Sequence, residues 1–223
     1  MRLLLRQLRD IWSGLDRRAL AKDVATAGTL GCIGDLICQA GIERTQFDAL
    51  DWRRFASVGS FEAIYIGGFF HFLCQAFPPA VCAVGRALEA SSATPSRVAV
   101  AGAALQVEGS SAHALGCSIA DNIHDGTLMI PSYFVSVGLM QGDALQATFA
   151  NLRREWLSSY LAGCAFWIPV MWINFRVVPA AYRVRVMAFS NTCWSVIIDY
   201  LAHRSRDATT ATAALAIAEG EVR

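Results

Sequence analysis

The sequence has little charge and lacks the motifs that carry catalysis. Charged residues make up 17% of its 223 positions, whereas ordinary soluble domains carry roughly 25%. The net charge is only +1, which argues against the strongly basic surface of a nucleic-acid-binding protein. No phosphate-binding loop, dinucleotide-binding glycine motif or nucleophile elbow is present. We therefore expect neither an enzyme nor a nucleic-acid-binding protein, and we expect no cofactor.

The sequence also lacks metal-binding spacing. Its seven cysteines are scattered singly and none forms a Cys-x-x-Cys pair, so no metal site is predicted. A redox disulfide stays open, because the sequence does not define the compartment. The four histidines have no nearby paired ligand. His124 and Asp125 are interpreted as neighbours in a loop rather than as a catalytic dyad, since a general base needs a substrate within reach.

Apolar residues are abundant instead and make up 55% of the chain. Five apolar stretches carry small residues at helical spacing, and no alternating strand pattern is found. They predict an all-α integral membrane bundle of about four transmembrane helices followed by a C-terminal amphipathic helix. The predicted spans are 22–40, 55–77, 127–145 and 157–178, and the last helix is predicted at 182–203.

One membrane domain is predicted over residues 1–206. Within it, residues 78–126 are rich in Ala, Ser and Gly and are interpreted as a variable link or insertion. Residues 207–223 are predicted to be a disordered tail. The arginine-rich residues 1–18 have two interpretations, a mitochondrial targeting segment or a basic juxtamembrane helix. The distribution of Lys and Arg places both termini on the positively biased side of the membrane.

Polar side chains inside the apolar stretches are the candidate functional residues. An ionised side chain within a span is costly unless it faces water, a partner or a neighbouring helix. The candidates to line a water-filled path are Asp35, Gln39, Glu62, Asn174 and Arg176. Arg176 is the in-span cation available to Asp35 if the first and fourth spans pack together; the alternative is that Arg176, at the end of its helix, extends to the membrane interface instead. The same polar groups are equally compatible with closed hydrogen bonds between helices, and both interpretations stay open.

A packing seam is predicted in the second span. Gly59, Ala63 and Gly67 follow one another at intervals of four, which places them on one helix face. Small residues at such spacing let membrane helices approach closely. We therefore expect this face to contact another helix.

Several short motifs together resemble a known family. Asn174-Phe175, Val178-Pro179 and Arg183 lie between Trp167 and Trp194. Gly34-Asp35 lies in the first span, and Asp121-Asn122 precedes the third. The order and spacing resemble the Mpv-seventeen / twenty-two-kilodalton peroxisomal membrane protein family, whose members are small organelle membrane proteins. The residues that match its motifs are Gly34, Asp35, Asp121, Trp167, Asn174, Phe175, Pro179, Arg183 and Trp194.

The resemblance implies a channel-like protein that passes small solutes and contributes to metabolite homeostasis of an organelle. It implies the mitochondrial inner membrane first and the peroxisomal membrane as the alternative. A second hypothesis, from another class, is a non-conducting structural or scaffold protein of the same membranes. The expected partners are the lipid bilayer, a second copy of the chain and a small solute that the sequence does not identify.

Overall fold

The computed structural model describes residues 16–91 and 96–197, and this part of the chain is helical almost throughout. Six helices, numbered here in chain order, follow one another within it. Three of them are uninterrupted: α3 (Arg97–Leu105), α5 (Leu145–Val177) and α6 (183–197). The other three contain a π-helical segment. Helix α1 is Arg17–Leu36 followed by the π-helical Ile37–Ile42; α2 is Trp52–Phe61, the π-helical Glu62–Phe69 and Phe70–Ala90; α4 is Ser111–His124, the π-helical Asp125–Met129 and Ile130–Gln141. The predicted all-α class is confirmed for these residues.

A side-chain cap defines the start of α1, and a left-handed glycine defines the end of α4. The carboxylate of Asp16 accepts hydrogen bonds from the backbone N–H groups of Ala19 and Arg18, so α1 begins at the next residue. These two hydrogen bonds stabilise the carboxylate and so lower the pKa of Asp16, and the bond from Ala19 has the larger effect. At the C-terminal end of α4, Gly142 adopts a left-handed conformation with φ of 94°, which ends the helix at Gln141. The predicted span 127–145 therefore ends earlier than expected.

Two of the described helices are long and apolar enough to cross a membrane, namely Trp52–Ala90 with 39 residues and Leu145–Val177 with 33 residues. At 1.5 Å per residue they measure about 58 and about 50 Å, well beyond a hydrocarbon core of about 30 Å. The predicted count of four spans is not confirmed by this criterion. Acidic residues inside α1 and α4 lower the apolar character of those helices.

Residues 78–126 form helices in their described part. Helix α2 continues through Pro78 and Pro79 to Ala90, although proline usually ends a helix. Helix α3 then packs back on the end of α2, and a Cβ atom placed on Gly85 would lie 2.6 Å from the carbonyl oxygen of Gly102. This backbone contact shows that the two helices approach closely at glycine.

The predicted small-residue seam is confirmed, and its partner is α1. A Cβ atom on Gly67 would meet the backbone of Val24, and Gly59 faces Cys32. Between them, Gly28 approaches Ala63. The order of these contacts shows that α1 and α2 run antiparallel, each offering small residues at intervals of four.

Helices α5 and α6 complete the bundle. Trp156 Nε1 donates to the Gly126 carbonyl at 2.7 Å, and Trp172 Nε1 donates to the Ser111 carbonyl at 3.1 Å, so α5 runs antiparallel to α4. Helix α6 returns along α1, where Thr192 Oγ1 donates to the Leu30 carbonyl. It covers 183–197 of the predicted 182–203, and residues 198–203 lie outside the described part.

The bundle has an apolar core, but it also buries several acids and exposes many large apolar side chains. In α5 only 11% of the most apolar 18-residue stretch is buried, so this helix is not the core helix of a soluble domain. Its exposed residues include Leu157, Leu161, Ile173 and Val177. An apolar outer surface of this kind is typical of contact with lipid.

Candidate functional site

A cavity of about 370 Å³ lies between α1, α2, α4, α5 and α6. Polar side chains from four of these helices reach its wall, among aromatic residues such as Tyr133 and Trp167. They include Asp35, Arg54, Glu62, Asn122, Asp125 and Asn191. Charged groups of both signs therefore face one partly open space between the helices.

Asp35 is the most heavily bonded acid of this wall. Its side chain Oδ1 lies 2.7 Å from Arg54 Nε, and Gln39 Nε2 donates to its Oδ2 at 2.7 Å. Gln39 also accepts from the backbone N–H of Asp51 at 2.7 Å. The amide of Gln39 thus attaches the loop before α2 to the end of α1, which brings Arg54 within reach of Asp35. Arg54 additionally contacts Glu43.

The expected pair of Asp35 and Arg176 was wrong. Arg176 is exposed near the C-terminal end of α5, at the opposite end of the bundle from Arg54. Asn174 lies there too, fully buried, and its Nδ2 donates to the Arg183 carbonyl at 3.1 Å. Of the five candidates to line a path, the structure brings Asp35 and Glu62 to the cavity and places Gln39 behind Asp35. Asn174 and Arg176 stand apart from it.

The side chain of Glu62, on α2, reaches into the interface between α1 and α6. It is 4% exposed, and its Oε1 accepts a hydrogen bond from Asn191 Nδ2 at 2.6 Å. Gly31 of α1 makes room for it, because a Cβ atom at that position would overlap the Glu62 side chain. Asn191 was not singled out in the sequence. The signal that the sequence offers is a polar amide inside the apolar stretch of the last predicted helix, 182–203.

The family-motif residues at the end of the chain build the α5–α6 hairpin. Arg183 donates to the carbonyls of Phe175 and Val178, both at 3.2 Å, and its guanidinium lies over the Phe175 ring. A cation that bonds the last carbonyls stabilises a helix C-terminus. Pro179 then starts the turn into α6. Further along α6, Trp194 packs against Phe166 with ring centroids 4.8 Å apart.

The remaining motif residues lie on α1 and α4. A Cβ atom placed on Gly34 would lie 3.2 Å from the methyl group of Thr192. The small size of Gly34 therefore lets α6 approach α1 closely. Asp121 is fully buried on α4. His124 and Asp125 follow it on the same helix and are buried as well. The prediction that these two residues form a loop pair was wrong, because α4 continues through them as a π-helical segment.

A second cavity, of about 560 Å³, lies at the opposite end of the bundle. Asp23 lies on its wall and contacts His71 Nδ1 at 2.8 Å and Arg185 Nε at 3.0 Å. This network joins α1, α2 and α6. None of the seven cysteines is paired in a disulfide in this structure.

These features define a class: a helical bundle with a largely apolar outer surface, several charged and amide side chains buried beside its apolar core, and two helices long enough to cross a bilayer. The sequence profile of the Mpv17 / PMP22 family matches residues 138–199, which cover the end of α4, α5 and α6. This match, together with the relatives below, confirms the resemblance to this family that was predicted from the sequence.

Three relatives illustrate the similarity. The mouse protein named mitochondrial inner membrane protein Mpv17 is 24% identical over 202 residues, which cover 87% of this chain and 98% of the relative. Protein SYM1 of Eremothecium gossypii is 25% identical over 40% of this chain and 49% of its own length. PXMP2/4 family protein 4 of Dictyostelium discoideum is 24% identical over 30% of this chain and 36% of its own length.

The alignment thus covers less than half of the last two relatives and almost all of the first. The relatives' names bear out the predicted organelle-membrane location, with the mitochondrial inner membrane favoured and the peroxisomal membrane as the alternative. No solved structure matches the chain.

Proposed function

We propose that this chain is a channel-like protein of an organelle membrane that passes small solutes through the cavity between α1, α2, α4, α5 and α6. The observation that carries the proposal is the cavity itself, since charged and amide side chains border about 370 Å³ inside a bundle with an apolar exterior. Buried ionisable groups in membrane helices commonly mark a solute or ion path. No catalytic role is part of the proposal.

In this arrangement α1, α2, α4 and α5 cross the membrane and α6 packs beside α1. The mitochondrial inner membrane is the proposed location, in accordance with the name of the mouse relative. The wall carries Asp35 and Glu62 as well as Arg54, so it presents both signs of charge. A filter for ions of one sign is usually a ring of like charges. The proposed solutes are therefore small polar molecules rather than one selected ion.

The test is single-channel recording of the purified full chain in planar bilayers, compared with Asp35→Asn. Removing this charge from the cavity wall is expected to change ion selectivity or unit conductance while the fold is kept. The matched control is Asp48→Asn, which removes the same charge from an exposed loop residue outside the cavity and should leave conductance unchanged. Folded protein without any conductance would contradict the proposal.

A second candidate, a non-conducting scaffold protein, is favoured by one specific observation. The acids Asp35 and Glu62 already have partners, Arg54 and Asn191, on neighbouring helices. Closed pairs of this kind hold helices in register without any solute path. For a scaffold, Asp35→Asn lowers thermal stability, because it leaves Arg54 with a weaker set of partners, and no current is observed in either variant.

A further inference from the structure

We propose that Asp121, His124 and Asp125 of α4 bind a divalent transition-metal ion of the Mn²⁺ or Zn²⁺ type. The spacing of three and four residues places the side chains on one face of the helix. One ligand atom from each residue lies within 4.8 Å of the others. Ligands bonded to one such ion at about 2.0–2.2 Å are at most about 4.4 Å apart, so small side-chain rotations suffice to close the site. The inference does not depend on the proposed function.

The unpartnered atoms of this cluster point to a ligand. Both carboxylate oxygens of Asp121, Oδ1 of Asp125 and Nδ1 of His124 are buried and make no hydrogen bond to the described residues. The three residues are 0%, 7% and 7% exposed, in the order Asp121, His124, Asp125. Buried polar atoms are nearly always bonded, and an isolated buried carboxylate is strongly unfavourable. One cation held between these four atoms would compensate all of them.

Tyr65 of α2 orients the imidazole for this role. Its hydroxyl lies 2.9 Å from His124 Nε2. If the hydroxyl accepts from Nε2–H, the lone pair of Nδ1 faces the two carboxylates, which is the tautomer that a metal ligand requires. The reverse tautomer would place a proton on Nδ1, which lies 3.4 Å from Asp125 Oδ1 and 3.9 Å from Asp121 Oδ1 and makes no hydrogen bond to either. A partner on the second ring nitrogen is the usual arrangement around metal-bound histidine.

The donor set selects the class of ion. Two carboxylates and one imidazole suit Mn²⁺, Fe²⁺ or Zn²⁺. Calcium is a poorer match, because it takes about 6–8 oxygen ligands. Two negative charges in the cluster balance a divalent cation, and the described residues place no arginine or lysine against it. The aromatic rings of Phe69, Phe70 and Phe77 surround His124 and exclude water from that side.

The site has an entry route. Asp125 lies on the wall of the central cavity, so an ion and its remaining water ligands can reach the cluster from there. The helix widens into a π-helical segment at Asp125–Met129, and such segments frequently accompany functional sites. Trp156 and Tyr160 of α5 contact Gly126 and fix this segment in place.

The experiment is a titration of the full chain, purified in detergent and dialysed against a chelator, with Mn²⁺ alone. Bound ion is read from the loss of the free Mn²⁺ signal in electron paramagnetic resonance, and melting is followed on the same samples. We expect one ion per chain and a rise in melting temperature on binding. Asp125→Asn is expected to weaken binding by more than about 100-fold, beyond the roughly 10–100-fold effect of an outer-shell change.

Two further variants separate metal binding from a structural effect. Tyr65→Phe keeps all three ligands and should keep one ion per chain with affinity reduced about 10–100-fold. Asp48→Asn, exposed in a loop, should bind as the unaltered chain does. If Asp125→Asn does not fold, the Tyr65→Phe affinity decides. The proposal is overturned if the unaltered chain binds no stoichiometric Mn²⁺ or Zn²⁺, or if both variants bind with unchanged affinity. Absent binding with a more stable Asp125→Asn chain would show instead that the acids share a proton.

Discussion

Replacing Gly67 by alanine should separate α1 from α2. The new Cβ atom would lie 2.7 Å from the Asp23 carbonyl oxygen and 2.8 Å from the Val24 nitrogen. Both are backbone atoms, so no rotamer change can relieve the contact and the two helices must move apart. Overpacking of this kind costs about 1–3 kcal/mol, whereas alanine gains roughly 0.5–1 kcal/mol over glycine within a helix. The net expectation is a loss of about 0.5–2 kcal/mol.

The adjacent residue supplies the control for this prediction. A Cβ atom on Gly68 meets only the Ala63 carbonyl oxygen, at an ordinary 3.6 Å. Gly68→Ala should therefore gain roughly 0.5–1 kcal/mol from helix propensity alone. Because that gain is common to both variants, the difference between them isolates the steric cost of about 1–3 kcal/mol.

The assay is reversible unfolding of the detergent-solubilised chain in mixed micelles, followed by circular dichroism. Gly67→Ala should unfold at lower denaturant than the unaltered chain, and Gly68→Ala at equal or higher denaturant. Equal stability of the two alanine variants would refute the close approach of α1 and α2 at Gly67.

Three further predictions use the same unfolding assay. Asn191→Ala should lower the free energy of unfolding by about 2–3 kcal/mol, because it leaves the buried Glu62 carboxylate without its donor. The double variant Asn191→Ala with Glu62→Gln should recover part of this loss, and no recovery would contradict the pair. Trp194→Ala should lower the free energy of unfolding by about 2–3 kcal/mol, because it removes the packing on Phe166. This is less than the roughly 3–5 kcal/mol of a fully buried aromatic residue, since Trp194 is only partly buried. A neutral result would place α6 away from α5. Asn174→Ala should cost about 1–2 kcal/mol, because its amide bonds the first turn of α6, and unchanged stability would show that the hairpin does not need this bond.

The helical class and the α1–α2 seam were predictable because both follow from local periodicity. Gly59 and Gly67 share a face whatever the rest of the chain does, and the structure supplies only the identity of the opposing helix. The burial of Asp35 and Glu62 also followed from their apolar surroundings. These are properties of short segments, which sequence patterns describe well.

The partner of Asp35 could not be predicted, since it depends on how the loop before α2 folds back. Nothing in the sequence pattern pairs Arg54 with Asp35, whereas in the structure Gln39 binds the loop backbone at Asp51 and brings the arginine to the acid. The continuation of α2 through Pro78 was missed for a similar reason. The predicted span ends with the apolar stretch at residue 77, but packing against α3 supports the helix beyond that point.

The buried acids of the described residues differ in what they join, and this difference bears on their roles. Asp23 connects α1 with α2 and α6, Asp35 connects α1 with α2, and Glu62 connects α2 with α6. Each bond is between helices, so these acids hold the register of the bundle, a use for which buried polar pairs are best attested. Asp121 and Asp125 lie on one helix and accept no hydrogen bond from another, so they contribute nothing to register. Acids that are buried without a partner on another helix require some other compensation, and the proposed cation would supply it to both carboxylates and to His124 Nδ1 at once.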